Sequence, residues 1–134
     1  MNFARMAGAY RNSEHQAVIE AQDLQLEVQL LLEGLVKSLR QLAASLGDGA
    51  DKGARAKQFS CCLMLLHALQ SSLDLEKGDE LAACLGQLYD YTRQQLFLAM
   101  RHKQAGALDT AIWSINEIRT AWQEAGRAAT RPES

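Results

Sequence analysis

Residues 73–91 read LDLEKGDELAACLGQLYDY, and this stretch decides the fold because it ends one helix and begins the next. Gly78 is typical of the left-handed residue that follows a helix, and Asp79 is placed to cap the next helix by accepting a backbone N–H. Glu80 falls in the first turn of that helix, where a negative charge is favourable. A connection this short makes the two helices antiparallel neighbours, as in an up-and-down bundle.

The rest of the chain has the composition of an all-helical domain. Its one proline, Pro132, stands in the polar tail, so residues 14–129 lack the strongest helix breaker. Residues that favour strands are sparse. With 134 residues, 48% of them hydrophobic, the chain suffices for one core. We expect a single all-α domain over residues 1–134, with an N-terminal arm at about 1–20 and a polar tail at 128–134.

Glycine-containing turns divide the chain into four predicted helices, at about residues 22–46, 51–74, 80–104 and 108–127. The segment Gly47-Asp48-Gly49 separates the first two, and Gly106 ends the third. The predicted caps are Asp23 for the first helix and Asp51 for the second. Nothing in residues 2–11 ensures that this segment packs, so we expect it to be loosely docked, with Tyr10 as its one anchor. The predicted fold is an antiparallel up-and-down four-helix bundle with a short N-terminal segment.

Apolar residues at spacings of three and four predict which face of each helix is buried. The expected core stripes are Leu24, Val28, Leu31, Leu35, Leu39, Leu42 and Leu46 on the first helix; Phe59, Cys62, Leu63, Leu66, Leu69 and Leu73 on the second; Leu81, Leu85, Leu88, Leu96 and Ala99 on the third; and Leu108, Ile112, Ile115, Ile118 and Trp122 on the fourth.

More apolar surface is present than one core requires. Leu26 and Leu30 lie nearly opposite the first stripe, the neighbours Met64 and Leu65 fall in a segment that is apolar all round, and Trp113 projects away from the fourth stripe. Single exposed hydrophobic residues are normal in any bundle. Several on separate faces favour a surface for an apolar, helical partner.

The sequence offers no signal for catalysis, a cofactor or a metal. No Glu-x-x-His pair of the kind found in di-metal bundles is present, nor a phosphate-binding glycine loop or a nucleophile elbow. Cys61, Cys62 and Cys84 lack metal or redox spacing, and we interpret them as core thiols. A net charge of −2 does not favour nucleic acid or an anionic membrane as a partner. The absence of a long apolar segment or a secretory signal predicts a cytoplasmic protein without membrane insertion.

The order of these motifs resembles the FliS family of flagellar export chaperones. That family has a Leu-Asp pair, a glycine-acid step, an amphipathic helix and a Leu-Tyr-Asp-Tyr-like segment, here residues 88–91. An Arg-x-x-Trp follows, matched by Arg119 and Trp122, and the N-terminal Ala-Tyr step is matched by Ala9 and Tyr10. The resemblance is good over about residues 70–125.

The resemblance implies a cytoplasmic chaperone for type III export that binds the disordered C-terminal region of flagellin and prevents its premature polymerisation. The flagellar export gate and a second copy of the chain are further partners to test. The residues that we expect to contribute to client binding combine the surplus apolar positions with the matched motif: Tyr10, Leu26, Leu30, Met64, Leu65, Tyr89 and Tyr91. Tyr10 is expected to compete with the client for part of the site.

The first helix departs from the family pattern. The family usually has Ala-Ser-Pro-x-x-Leu at its start, where residues 21–26 read AQDLQL, and a Leu-Tyr-Asp-Gly-like step, where residues 30–34 read LLLEG. Two alternatives therefore stay open: a divergent paralogue that serves another export client, and a structural or regulatory bundle that uses its extra stripes for self-association.

Overall fold

The computed structural model describes residues 3–47, 49, 51–73 and 80–130, without the side chains of residues 3–14 and 130. Helix α1 spans Phe3–Ala44, α2 Lys52–Leu73, α3 Glu80–His102 and α4 Asp109–Thr130, and a 3₁₀ turn at Ala105–Leu108 precedes α4. No strand occurs in these ranges. The predicted all-α class is confirmed.

Contacts between neighbouring helices establish the up-and-down arrangement. As residue numbers rise along α1, those of its contacts on α2 fall: the Ser38 hydroxyl donates to Cys61 Sγ at 3.3 Å, and Arg55 Nε donates to the carbonyl of Ser45 at 3.1 Å. Helix α3 also runs antiparallel to α2, since Phe59 contacts Phe97 and Gln70 contacts Asp90, and α4 packs against both α3 and α1. The four helices form a ring in which α1 is diagonal to α3 and α2 is diagonal to α4, as predicted for this bundle class.

The core stripes of α1, α2 and α4 are largely those predicted. Val28, Leu35, Leu39 and Leu42 are buried on α1, and Leu46 is buried just after it; the prediction lacked Leu32 and Val36, which are also buried. The buried residues of the other two helices are Cys62, Leu66 and Leu69 on α2, and Leu108, Ala111 and Ile115 on or just before α4. Most of the remaining predicted members are half-buried against this core.

The predicted stripe of α3 is wrong in one member and lacks two. Leu81 is exposed, whereas Tyr89 and Thr92 are buried; Leu88 is half-buried against the core. The buried stripe therefore runs through residues 85, 89, 92, 96 and 99, with alternating spacings of four and three. A threonine is tolerated at this depth because its hydroxyl donates to the carbonyl of Leu88 at 2.9 Å within the same helix.

Helix α1 begins at Phe3, so the predicted start at about residue 22 is wrong, and Asp23 lies inside the helix rather than capping it. Residues 11–23 contain neither proline nor glycine, and once a helix exists each further residue adds a hydrogen bond at little cost. Every side chain from His15 to Asp23 is exposed. Helix α1 therefore continues beyond the core as a helical overhang.

Two predicted helix boundaries have different outcomes. Asp51 caps α2 as predicted, because its Oδ1 accepts the N–H of Gly53 at 2.8 Å. At the end of α3 the left-handed residue is Lys103, with φ 53°, and the N–H of Gln104 donates to the carbonyl of Ala99 at 3.2 Å. This is a Schellman ending. Gly106 instead lies in the 3₁₀ turn, so its predicted role is wrong; the predicted turn at Gly78 and Asp79 lies outside the described residues.

The three thiols have three different environments. Cys62 is fully buried, and burial, with a smaller contribution from neighbouring Cys61, raises the pKa of its thiol to about 12. Cys61 is half-buried and accepts the Ser38 hydroxyl. Cys84 is exposed on α3, so its prediction as a core thiol is wrong. It directly precedes Leu85, and one helical step of about 100° turns it away from the core.

Candidate client-binding surface

The outer face of α1 carries two adjacent leucines that the core does not use. Leu26 and Leu30 are each 58% exposed and lie about half a turn away from the buried stripe. Gln29, between them, is buried; its Nε2 donates to Glu33 Oε1 at 3.0 Å, and its own Oε1 accepts no hydrogen bond in the described part of the chain. The predicted position of this leucine pair outside the core is confirmed.

On α2 the two predicted contributors differ in exposure. Met64 is 72% exposed. Leu65 is half-buried, and one of its methyl groups lies 3.5 Å from the place where a Cβ on Gly34 would stand. Because Gly34 has no side chain, Leu65 packs onto the backbone of α1 and presents only an edge outward.

On α3 the two predicted tyrosines lie on opposite sides of the helix. Tyr91 is 36% exposed, whereas Tyr89 is 2% exposed and belongs to the core. Burial raises the pKa of the Tyr89 hydroxyl to about 12. The expectation that Tyr89 offers a surface contact therefore disagrees with its burial. A step of two residues is a rotation of about 200° around the helix, so Tyr89 faces inward when Tyr91 faces outward.

Helices α3 and α4 expose further large apolar side chains that were not among the predicted client-binding residues. Leu98 stands seven residues after Tyr91, on the same face, and Trp113 on α4 is 65% exposed. Phe97 is also exposed, but its ring packs edge-on against Phe59 of α2, with the centroids 5.4 Å apart. The seven-residue spacing from Tyr91 was the signal that could have added Leu98 to the set.

The structure does not bring the predicted residues together in one patch. Leu26 and Leu30 lie on α1, and Met64 lies on its neighbour α2. Tyr91 lies on α3, diagonal to α1 in the ring. A single rigid helix cannot touch all of these positions, but an extended chain that passes around the bundle can.

An apolar pocket lies near the last residues of α2 and the first residues of α3. Tyr89 forms part of its wall, and all four helices contribute. The lining residues are Leu24, Val28, Leu32, Leu69, Ser72, Leu73, Leu81, Leu85, Tyr89, Ile118 and Trp122. The free space is about 30 Å³, enough for a water molecule. Tyr89 thus lines this pocket inside the bundle and does not present a surface to a client.

Comparison with known proteins identifies the family. The family model of flagellar protein FliS matches residues 6–129. The chain belongs to the FliS family. Among its relatives, the flagellar secretion chaperone FliS of Salmonella typhimurium is 30% identical over 123 residues, which cover 91% of this chain and 90% of the relative. The flagellar secretion chaperone FliS of Vibrio cholerae is 28% identical over 116 residues, covering 87% and 85%.

Several residues that carry the FliS resemblance hold the bundle together. Asp90 Oδ1 accepts Gln70 Nε2 of α2 at 2.8 Å. Trp122 Nε1 donates to the carbonyl of Gln25 at 2.8 Å, and Gln25 Nε2 donates back to the carbonyl of Trp122 at 2.8 Å. This reciprocal pair joins α4 to α1. The side chain of Tyr10 lies outside the description.

The described residues show no arrangement that holds a metal, since they contain no group of three or more histidine, cysteine or acidic side chains suited to an ion. Within the same ranges, no helix combines the length and hydropathy needed to cross a membrane. The chemistry that the surface offers is apolar contact, flanked by amides and carboxylates.

Proposed function

We propose that this chain is a cytoplasmic chaperone of flagellar export that binds the disordered C-terminal region of flagellin and prevents its premature polymerisation. Membership of the FliS family and relatives named flagellar secretion chaperones support this function. The observation that carries it is the presence of large exposed apolar side chains on every helix of the ring. A single folded partner would need one contiguous patch, whereas a disordered client can cover separated faces.

The proposed contact residues are Leu26, Leu30, Met64 and Tyr91, with Leu65 contributing an edge. A disordered amphipathic client gains free energy by burying its apolar side chains on these faces, and the gain must exceed the entropy lost when the client is ordered. The same apolar client residues are then unavailable for polymerisation.

Competition by Tyr10 needs a rearrangement of the helix. Tyr10 and Leu26 lie on one continuous helix and are 16 positions apart. At the rise of an α-helix this separation is about 24 Å. Competition for the Leu26 and Leu30 face therefore requires α1 to break between them, and a proline at Ala17 is expected to strengthen such competition.

The experiment mixes the full chain with a peptide from the C-terminal region of flagellin and measures complex mass by light scattering after size exclusion. A 1:1 complex is expected. The double variant Leu26→Glu with Leu30→Glu should stay helical and lose the complex, because both positions lie outside the core. Ala121→Glu with Ala125→Glu is the matched control: both are exposed on α4, have the same four-residue spacing, add the same charge and are not proposed contact residues.

The remaining outcomes decide between the alternatives. Unfolding of the double variant would assign the leucine pair to the core. Unchanged binding by a folded double variant would place the site on another face. A stable dimer that forms without peptide, and that the double variant abolishes, would favour the self-associating bundle.

A further inference from the structure

Exposed apolar residues continue along the outer face of α1 into its overhang. Ile19 precedes Leu26 by seven residues, and Leu30 follows after four more, so the three lie on one face of the helix. Ile19 belongs to the segment from His15 to Asp23 in which every side chain is exposed. We call these three residues the outer stripe. It is about 17 Å long, or three helical turns.

One flank of the outer stripe is acidic. Between Arg11 and Lys37 the sequence has five acidic residues and no lysine or arginine. Three of the acids, Glu20, Asp23 and Glu27, line one shallow groove beside the stripe. Within the described residues, neither Asp23 nor Glu27 takes part in a hydrogen bond or an ion pair, and Glu20 accepts only the exposed amide of Gln16 at 3.3 Å.

The other flank is formed mainly by amides. A groove between α1 and α4 runs beside Leu26, and its lining residues are Gln22, Gln25, Leu26, Gln29, Gln123, Gly126 and Arg127. Gln29 Oε1 is buried there without a donor in the described part of the chain, and such an acceptor is costly to leave unpaired. Arg127 is the one cation of this groove. The positive charges of a docked partner are therefore favoured on the carboxylate side.

We infer that the outer stripe docks one amphipathic helix whose apolar residues are flanked by lysine or arginine. This inference rests on the proposed function and specifies the chemistry of the client segment that α1 takes. Apolar residues of the partner at spacings of four and seven would cover the outer stripe, and its cations would face Glu20, Asp23 and Glu27.

A second copy of this chain is a poorer occupant. Helix α2 is its basic helix, with Lys52, Arg55 and Lys57 and no acidic residue. The only large hydrophobic side chain that α2 exposes is Met64, so it lacks a stripe that matches three turns of α1.

The test uses the full chain and two designed 18-residue helical peptides with the same leucine stripe, one flanked by lysines and the other by glutamates. Fluorescence anisotropy at low and high salt measures their affinity. The lysine peptide should bind at least about tenfold more tightly at low salt and lose this advantage at high salt, because exposed charges are screened.

Two sets of variants locate the contact. Neutralising the carboxylate flank should weaken binding of the lysine peptide about tenfold, while neutralising three exposed acids of α4 should leave it unchanged. The first set is Glu20→Gln, Asp23→Asn and Glu27→Gln, and its control is Asp109→Asn, Glu117→Gln and Glu124→Gln. Ile19→Ser should also weaken binding, whereas Val18→Ser should not, because Val18 is exposed but one helical step away from the stripe.

Equal affinity for the two peptides, or no effect of neutralising the carboxylate flank, would overturn the inference. So would a concentration-dependent dimer that either peptide displaces, since the occupant would then be a second copy. If a flagellin C-terminal peptide binds but these variants do not weaken it, the inference fails and the proposed function stands. If neither the flagellin peptide nor the designed peptides bind, both fail.

Discussion

Replacing each of two tyrosines by alanine separates the core of the bundle from its binding surface. Tyr89 is 2% exposed and contributes to the core, and removing a buried aromatic side chain costs about 3–5 kcal/mol. In a domain of this size that loss should lower the melting temperature by about 10–20 °C. Tyr91 is 36% exposed, and its replacement should cost less than about 1 kcal/mol.

The effects of the two variants on client binding should be the reverse of their effects on stability. Tyr91→Ala should stay folded and bind a flagellin C-terminal peptide more weakly, whereas Tyr89→Ala should be less stable but bind normally at temperatures where it is folded. Urea denaturation measures stability, and calorimetric titration at 10 °C measures binding. A stable Tyr89→Ala variant that no longer binds the peptide would refute the assignment of this residue to the core.

Four further predictions concern single residues. Lys103→Gly should raise stability by about 1 kcal/mol, because φ 53° is unfavourable for a residue with a side chain; an unchanged urea midpoint would contradict this. Gly34→Ala should stabilise α1 by up to about 1 kcal/mol, since the new Cβ meets only Leu65 at ordinary contact distance. Gly126→Ala should gain nothing, because its Cβ would lie 2.6 Å from Gln25 Nε2 and break the bond to α4. The folded state keeps Tyr89 protonated up to a pKa of about 12, above the unfolded value near 10, so stability should fall as pH rises from 10 to 12 by about 2–3 kcal/mol, and Tyr89→Phe should remove this part of the fall.

The sequence was informative wherever one periodic signal dominated. On α1, leucines at spacings of three and four specified most of the core, though not Leu32 and Val36, and the same periodicity showed that Leu26 and Leu30 face outward. On α3 hydrophobicity alone did not identify the buried residues. Leu88 is more hydrophobic than Tyr89, and Thr92 is polar but can be buried because its hydroxyl donates to a carbonyl of its own helix. The predicted stripe therefore included Leu88, which is half-buried, and omitted Tyr89 and Thr92.

Helix ends and the arrangement of the site could not be predicted from local signals. The predicted cap at Asp23 did not mark the start of α1, because residues 11–22 contain no proline or glycine and the helix continues through them. The end of α3 uses Lys103 rather than the nearby glycine, a choice that depends on the whole turn. The diagonal placement of Leu26 and Tyr91 depends on packing between helices, on which the spacing within each helix carries no information.

Calorimetric titration of the full chain with a flagellin C-terminal peptide, repeated at several temperatures, tests client binding by the apolar faces most directly. We expect a 1:1 complex with a negative heat-capacity change of about 0.3–0.5 kcal/mol/K or more in magnitude, because binding should bury about 1,000 Å² or more of mostly apolar surface. Absence of a complex, or a complex with a heat-capacity change near zero, would contradict it.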